Sequence, residues 1–449
     1  PLSRQQRPDC TACSIGLTAS MAQTADAARE SALKRFLPPG PRPLPCRRDV
    51  QRGRRLRLFV YGLPWAYHGQ VVEYVERRAR ELLHVNCAYL REDTCPNTGF
   101  SHLENLRSHC TDVPIFSKLL QVATLVGEPE RADVFLVPFL LGCNAMLGWG
   151  HGMSRVNGPA HHAFFGSFDK FARDSLPHFA RWPHRHLFLF PLDSMFMPKW
   201  LGGSMLAHTG AGYRNKSRLD VTIPYLASLP RELVRAQPDA GARSTRVFLM
   251  ASPSRNKVRS EVARQLREAS ELHRRDPSRP RIELYETDPR KENAMPFSTV
   301  ETIRRMQRTT FCVAPTGDSD GFTQRFYYIV AAGCIPVRVD TYYPSLKFGK
   351  VAWPFKQTIE WHRAVLLLPP DRLRRDGLIP TLANVSQRRV REMQQYLLRV
   401  VRPSVLFDYR GEAPDAFSAF LTELLYLAAH RLPALDRPAA ERPAAAGDG

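Results

Sequence analysis

The sequence predicts an α/β protein built on parallel sheets, and three stretches carry that prediction. The most informative is FCVAPTGDSDGFTQRFYYIVAAGCIPVRVD, Phe311 to Asp340. A short apolar run over Thr310–Ala314 is followed by a turn-rich loop from Pro315 to Gly321. Then Thr323–Ala332 carries Phe326, Ile329 and Val330 at helical spacing. Gly333 stands where a helix C′ glycine belongs, and Cys334–Val339 resumes an apolar, β-branched run, which makes one βαβ unit of about 30 residues. Arg246–Ala251, then SPSRNK, then a helix over Val258–His273 with Val258, Val262, Leu266 and Ala269 in register, repeats the strand, loop and helix. Asp133–Leu140 is apolar on successive positions, as a strand buried on both faces of a parallel sheet must be.

Taken in order, residues 1–54 read as a basic Pro/Arg-rich disordered tail with one helical stretch at Ala22–Phe36. Leu56–Tyr61 is the first strand, stopped by Gly62 and Pro64, and helices are expected over Val71–Leu83, Ile115–Leu125 and Phe164–Phe179. A Gly/His-rich loop covers Gly142–Gly158, and His186–Phe190 is a further strand. Pro230–Gly241 reads as a linker. Ser298 and Glu301 spell a capping box before Ile303 and Met306, and Ala364–Leu368 is a strand. Helices follow from Ser386 through Val401 and over residues 414–432, and the chain from Pro433 is an Ala/Pro-rich disordered tail. Pro336 falls inside an expected central strand, where a missing N–H normally argues against one.

At 449 residues the chain exceeds one ordinary core, so two domains are expected. The net charge of +21 suggests a polyanion partner, yet residues 1–57 alone hold 12 Lys/Arg against 4 Asp/Glu. There is no RNA-recognition signature, zinc-finger spacing or helix-turn-helix pattern, so nucleic acid is not expected as a partner. Cys10 and Cys13 form a lone C-x-x-C, too little for a zinc site, and the histidines lack H-E-x-x-H spacing. Cys87, Cys95 and Cys110 crowd a loop-rich stretch suited to a local disulfide in an oxidising lumen; free thiols are the alternative. Asn215-Lys-Ser217 and Asn384-Val-Ser386 are glycosylation sequons. No run reaches the length of a membrane span.

The loop in the βαβ unit predicts an anion site. In a parallel sheet the loop after a strand opens on the ligand crevice, and the next helix points free N–H groups at it. Arg325, in the first turn of that helix, hangs over the same loop. The alternative is that Gly317 and Gly321 only close a turn and Arg325 is a solvated arginine. At Val258–His273 the matching cation is Arg259, or else it belongs to a solvated cluster.

The run FC-V-A-P-x-G-D, the helix arginine, and G-C-I-P-V followed by an aspartate resemble the C-terminal signature of exostosin-like glycosyltransferases. LRLFVYGLP, ERADVFLVPF and LDVTIPY resemble other segments of that family and occur in its order, as do Pro354, Phe355 and Trp361. The resemblance implies a GT-B fold with two Rossmann-like domains facing a cleft: 55–229 on the acceptor side, 242–411 binding the donor, and a closing helix at 412–432. It implies an inverting glycosyltransferase that moves a sugar from a UDP-sugar to a glycan or glycoprotein. The alternative is a catalytically weak or inactive exostosin-like protein that binds nucleotide sugars or glycans. It also implies a type II Golgi protein whose membrane anchor is not in this chain.

On that reading the donor is held by Arg259, Pro315, Gly317, Thr323, Arg325 and Tyr328, with Arg325 also stabilising the leaving diphosphate. Tyr328 stands where the family usually has an acidic residue for the ribose hydroxyls. Asp193 is the candidate general base, with a capping role as the alternative. Asp318-Ser319-Asp320 spells D-x-D, but it lies inside the glycine loop before an arginine-bearing helix. The two aspartates are therefore expected to shape the turn, with no metal or other cofactor required.

Overall fold

In this computed structural model, the described residues are 55–63, 65, 68–83, 107–143, 176–193, 201, 203–210, 219–227, 243–252, 257–287, 297–316, 322–340, 351–407 and 415–436. Two all-parallel sheets organise them, one of six strands in the order β2-β1-β3-β4-β5-β6 and one of five in the order β11-β10-β9-β7-β8.

The first sheet begins with β1 (Arg57–Val60), α1 (Gly69–Leu83), α2 (Asp112–Val122), β2 (Thr124–Leu125) and β3 (Val134–Leu136). The helix expected at Ile115–Leu125 starts earlier and stops at Val122. Its last two residues instead form β2, because Thr124 and Leu125 pair with Arg57 and Leu58. β3 is shorter than the expected Asp133–Leu140, since Pro138 has no N–H to continue a ladder. β4 (His186–Asp193) runs three residues beyond the expected Phe190, and β5 (Met205–Gly210) and β6 (Val221–Thr222) complete the sheet. Leu176–Phe179, expected to end a helix, lies in a turn that leads to β4.

The second sheet is β7 (Thr245–Ala251), α3 (Lys257–Arg275), β8 (Ile282–Glu286), α4 (Thr299–Gln307), β9 (Thr309–Pro315), α5 (Gln324–Ala331), β10 (Ile335–Val339) and β11 (Leu366–Leu367). The α3 stripe Val258, Val262 and Leu266 packs with Val247, Phe311 and Val337 on one face of the sheet. Residues of α4 and α5 pack with Phe248, Cys312 and Ala314 on the other. Ser298 caps α4 through its Oγ, which accepts from Glu301 N at 3.2 Å. The expected return half of the box does not form, because the Glu301 carboxylate turns to Arg305 Nε at 3.0 Å.

Pro336 is accommodated by the shortness of β11. Arg338 O accepts from Leu368 N, so Pro336, two residues earlier, faces the same side. Pairing with β11 begins only at Val337 opposite Leu366, so no ladder bond is lost. At the end of α5, Gly333 has φ 65°, and a Cβ there would stand 2.7 Å from Leu398 Cδ2, which explains the glycine twice over.

The C-terminal part consists of α6 (Pro370–Asp376), α7 (Leu378–Ala383), α8 (Gln387–Tyr396), a π-helical turn (Leu397–Val401), α9 (Arg402–Val405), α10 (Ala416–His430) and α11 (Leu432–Leu435). Asp415 caps α10 and forms a buried ion pair with Lys118 of α2, so the last long helix is anchored on the first sheet's layer. The segment expected to be a disordered tail from Pro433 instead continues as α11. Asp436 accepts from His184 Nε2 at 2.8 Å and from Arg185 Nη2 at 2.5 Å.

Two buried disulfides, Cys110–Cys143 and Cys312–Cys334, are present among the described residues. The partner of Cys110 is therefore Cys143, from beyond the expected local cluster. The Cys312–Cys334 bridge ties β9 to the turn after α5 and had no signal in the spacing. Cys10, Cys13, Cys87, Cys95, the helix at Ala22–Phe36 and the linker at Pro230–Gly241 lie outside the described residues. Among the described residues no helix is long and apolar enough to cross a membrane.

Candidate functional site

The chain lays down β7, then β8 on one side of it, then β9 on the other. The connecting helices accordingly change faces, α3 on one and α4 and α5 on the other. Where strand order reverses in an open parallel sheet, the two following loops part and leave a crevice beyond the strand ends. That crevice lies between the ends of β7 and β9, and the helices that follow these two strands carry Arg259 and Arg325.

Arg259 is in the first turn of α3, and its Nε donates to Thr316 O, just past β9, at 2.8 Å. It thus bridges the two strand ends. Arg325 is the second residue of α5, partly buried, and its Nε is buried with no hydrogen-bond partner among the described residues. Burial, reinforced by the positive charge of Arg259, lowers its pKa to about 10. Two neighbouring cations, the second of which has a buried donor without a hydrogen-bond partner among the described residues, form a site that gains by taking an anion. A solvated surface arginine is not what the structure contains at position 325.

Pro315 ends β9, and Thr316 N continues the ladder to Val339 O at 3.0 Å. Thr323 is the N-cap of α5 with extended backbone, and its side chain makes no capping bond. Phe326 N donates to Thr323 O at 2.9 Å, and the N–H groups ahead of it lie at the positive end of the helix dipole. Tyr328 lies one turn along from Arg325 and interacts with it electrostatically, but it is fully buried, and its hydroxyl accepts from Gln324 Nε2 at 2.7 Å. Gly317, Asp318 and Asp320 lie outside the described residues.

Behind this site stands a platform that the sequence reading did not assign. Arg338 of β10 is buried, pairs with Asp340 at 2.6 Å, and lies 4.2 Å from the ring centroid of Phe322, the residue before the N-cap. Phe322 packs on Phe326 and Trp353 at 4.6 and 5.0 Å, and Trp353 stacks on Trp361 at 4.9 Å. Trp361 Nε1 donates to Pro354 O at 2.8 Å. The signal was there, in the aspartate after I-P-V and in Pro354, Phe355 and Trp361, but no spacing shows that Arg338, Trp353 and Trp361 converge beside Phe322 at the start of α5.

On the first sheet, Asp193 is the last residue of β4, in register with Gly210 of β5 after an irregularity. A few residues back on β5, His208 pairs with Phe190 in register, and its Nε2 lies 3.6 Å from Asp220 Oδ2. His208 is buried, and neither ring nitrogen makes a hydrogen bond among the described residues. Asp220 was visible in LDVTIPY, but nothing in the sequence paired it with His208. The two sheets meet near here: Phe355 N donates to Thr222 O at 3.3 Å, and Tyr225 lies edge-on to Tyr327 of α5 at 6.2 Å.

Among the described residues no group of three or more His, Cys, Asp or Glu side chains could hold a metal. Known proteins add the following. Two solved structures are similar at low level: the spinosyn forosaminyltransferase SpnP and the glycotransferase of kitacinnamycin. Identities are 13% and 12%, and 84% of this chain is covered in both cases, with 100% and 99% of those chains. Both TM-scores are 0.29, a level that carries no argument. No curated protein sequence matches. The model of the exostosin GT47 domain matches residues 52–385, most of the chain and the whole of both sheets. The chain therefore belongs to the exostosin GT47 family of glycosyltransferases, proteins that bring together a sugar donor and an acceptor.

Proposed function

We propose that the protein is an inverting glycosyltransferase of GT-B architecture that moves a sugar from a UDP-sugar to a glycan or glycoprotein acceptor in the Golgi. On this reading residues 55–229 form the acceptor-side domain, 242–411 the donor domain, and 412–432 a closing helix. The observation that carries it is the buried Nε of Arg325, without a hydrogen-bond partner among the described residues, beside Arg259 at the point where strand order reverses.

The diphosphate of the donor would lie against the first turn of α5, with Arg325 and Arg259 as its cations and Pro315, Gly317 and Thr323 shaping the approach. As the bond to the anomeric carbon breaks, negative charge grows on the leaving UDP. Fixed guanidinium groups and helix N–H groups stabilise that charge without reorganising, so this chemistry works without a metal. Inversion needs a base on the opposite face of the sugar. Asp193, at the end of β4, would take the acceptor proton, with the buried His208–Asp220 pair as the next candidate.

A second reading, a binder with weak or no turnover, is favoured by one observation: Tyr328, in place of an acidic residue, is fully buried with its hydroxyl engaged by Gln324. The discriminating experiment incubates the chain with a panel of UDP-sugars, first reading protection against thermal unfolding and then released UDP with glycan acceptors. Protection that persists in EDTA, with UDP release, is the expected result. Protection without turnover on any acceptor supports the binder, and protection that needs Mn²⁺ overturns the metal-free mechanism.

A further inference from the structure

The connection between α7 and α8 holds the sequon Asn384-Val385-Ser386, and it is presented at the surface. Asn384 is the C-cap of α7; its backbone N donates to Pro380 O at 3.2 Å, while its carboxamide makes no hydrogen bond among the described residues and is exposed. Ser386 is the exposed N-cap of α8, its Oγ accepting from Arg389 N at 3.2 Å. The asparagine is thus free of structural duty, in a short bend between two helices that can tolerate a bulky group.

Two further observations bear on the same place. Among the described residues β11 is an edge strand paired only with β10, and its two residues are half-buried. Beside them lies a cavity of about 200 Å³ lined by Val337, Leu366, Leu367, Leu382, Val385 and Asn384 itself. Thr381 and Arg372 also line the hollow, so it is only partly apolar, but an open strand edge beside partly exposed leucine and valine surface is a liability that proteins normally cover. The second observation is chemical: the disulfides Cys110–Cys143 and Cys312–Cys334 join buried cysteines far apart in sequence, as in chains that fold in an oxidising compartment. That is also where asparagine-linked sugars are attached.

We propose that Asn384 carries an N-linked glycan whose first N-acetylhexosamine covers this hollow and the β11 edge. In the attachment step Asn384 Nδ2 forms a C–N bond to the anomeric carbon of a lipid-linked oligosaccharide diphosphate. The bond from that carbon to the diphosphate oxygen breaks, the lipid diphosphate leaves with the electron pair, and one Nδ2 proton is released. The inference does not depend on the transferase activity.

The test expresses the full chain behind a cleavable secretory leader in animal cells and collects protein whose four buried cysteines resist thiol-blocking reagents. Peptide N-glycosidase is expected to sharpen its gel mobility and to convert glycosylated Asn384 to aspartate in the tryptic peptide Asp376–Arg388. Both Asn384→Gln and Ser386→Ala should remove that modification, whereas Asn215→Gln should leave it. An unmodified peptide from the disulfide-bonded, secreted chain overturns the site. Native deglycosylation should lower the temperature at which the protein aggregates; an unchanged aggregation temperature overturns the covering role and leaves a surface modification only.

Discussion

In both sheets the first strand has the second on one side and the third on the other, so β1 lies between β2 and β3 as β7 lies between β8 and β9. On one face of the first sheet, level with Phe59 of β1, the chain packs rings. Tyr61 stacks on His178 and His186, His186 stacks on Phe135 at 4.8 Å, and Tyr61 Oη meets His186 Nε2 at 2.7 Å while Nδ1 donates to Trp182 O. Every polar atom of that histidine is used, and burial lowers its pKa to about 4, so it is held neutral. Beyond β7 and β9 the chain finishes in two arginines, one with an unused buried donor. The first sheet thus carries a closed aromatic plug on one face, whereas the second keeps an anion-seeking crevice beyond its strand ends. A reversal of strand order makes room for a ligand; the unpaired polar groups decide whether one is held there.

The largest expected effect comes from breaking the platform under the crevice. Arg338→Ala removes the cation that lies 2.6 Å from the buried Asp340 carboxylate, and urea unfolding should show a loss of about 3–5 kcal/mol. If the variant unfolds like the parent, the pair is not what holds Phe322 at the start of α5. Arg338→Ala with Asp340→Ala together should recover part of that loss, since the buried carboxylate is removed with its cation.

The plug can be tested by pH. His186, depressed from 6.5 to about 4, is neutral when folded, so its contribution is lost as pH falls through that window. Asp112, buried in α2 and accepting from Gly142 N and Cys143 N, is raised from 3.8 to about 7, and its contribution is lost as pH rises through its own window. Between about pH 4 and 6.5 the two oppose one another. Asp112→Asn should therefore make stability rise with pH there, and His186→Gln should make it fall. Parallel slopes in the two variants would contradict the assignment.

A smaller effect sharpens the contrast at Tyr328. Removing its hydroxyl in Tyr328→Phe breaks the bond from Gln324, and stability should drop by about 0.5–1.5 kcal/mol. UDP affinity should stay the same, because the ring is sealed inside. A change in affinity would mean that the hydroxyl reaches the nucleotide.

The second sheet was the more legible of the two. Its strands and helices are local units with their own stop signals, although β8 was not assigned from the sequence, and Thr323 and Gly333 bound α5 as the sequence predicts. Arg259 and Arg325 could be aligned because both sit in the first turn after a strand. The first sheet was harder: β5 and β6 escaped notice, since MLAHTG is polar at its end and β6 has only two residues. The pairings also escaped. Cys312–Cys334, Arg338 under Phe322, Lys118 with Asp415 and His208 with Asp220 are contacts that only the folded chain brings together, and no spacing encodes them.

The central claim is that the crevice between β7 and β9 holds the diphosphate of a nucleotide, and one titration addresses it. UDP binding is measured calorimetrically for the parent, Arg325→Ala, Arg259→Ala and the double variant, all checked for intact folding. Arg325→Ala should lose about 1.5–3 kcal/mol, the worth of a charged hydrogen bond. The double variant should lose less than the sum of the two single losses, because both cations serve one anion. Unchanged UDP affinity in Arg325→Ala would contradict the account, whatever the activity of the protein.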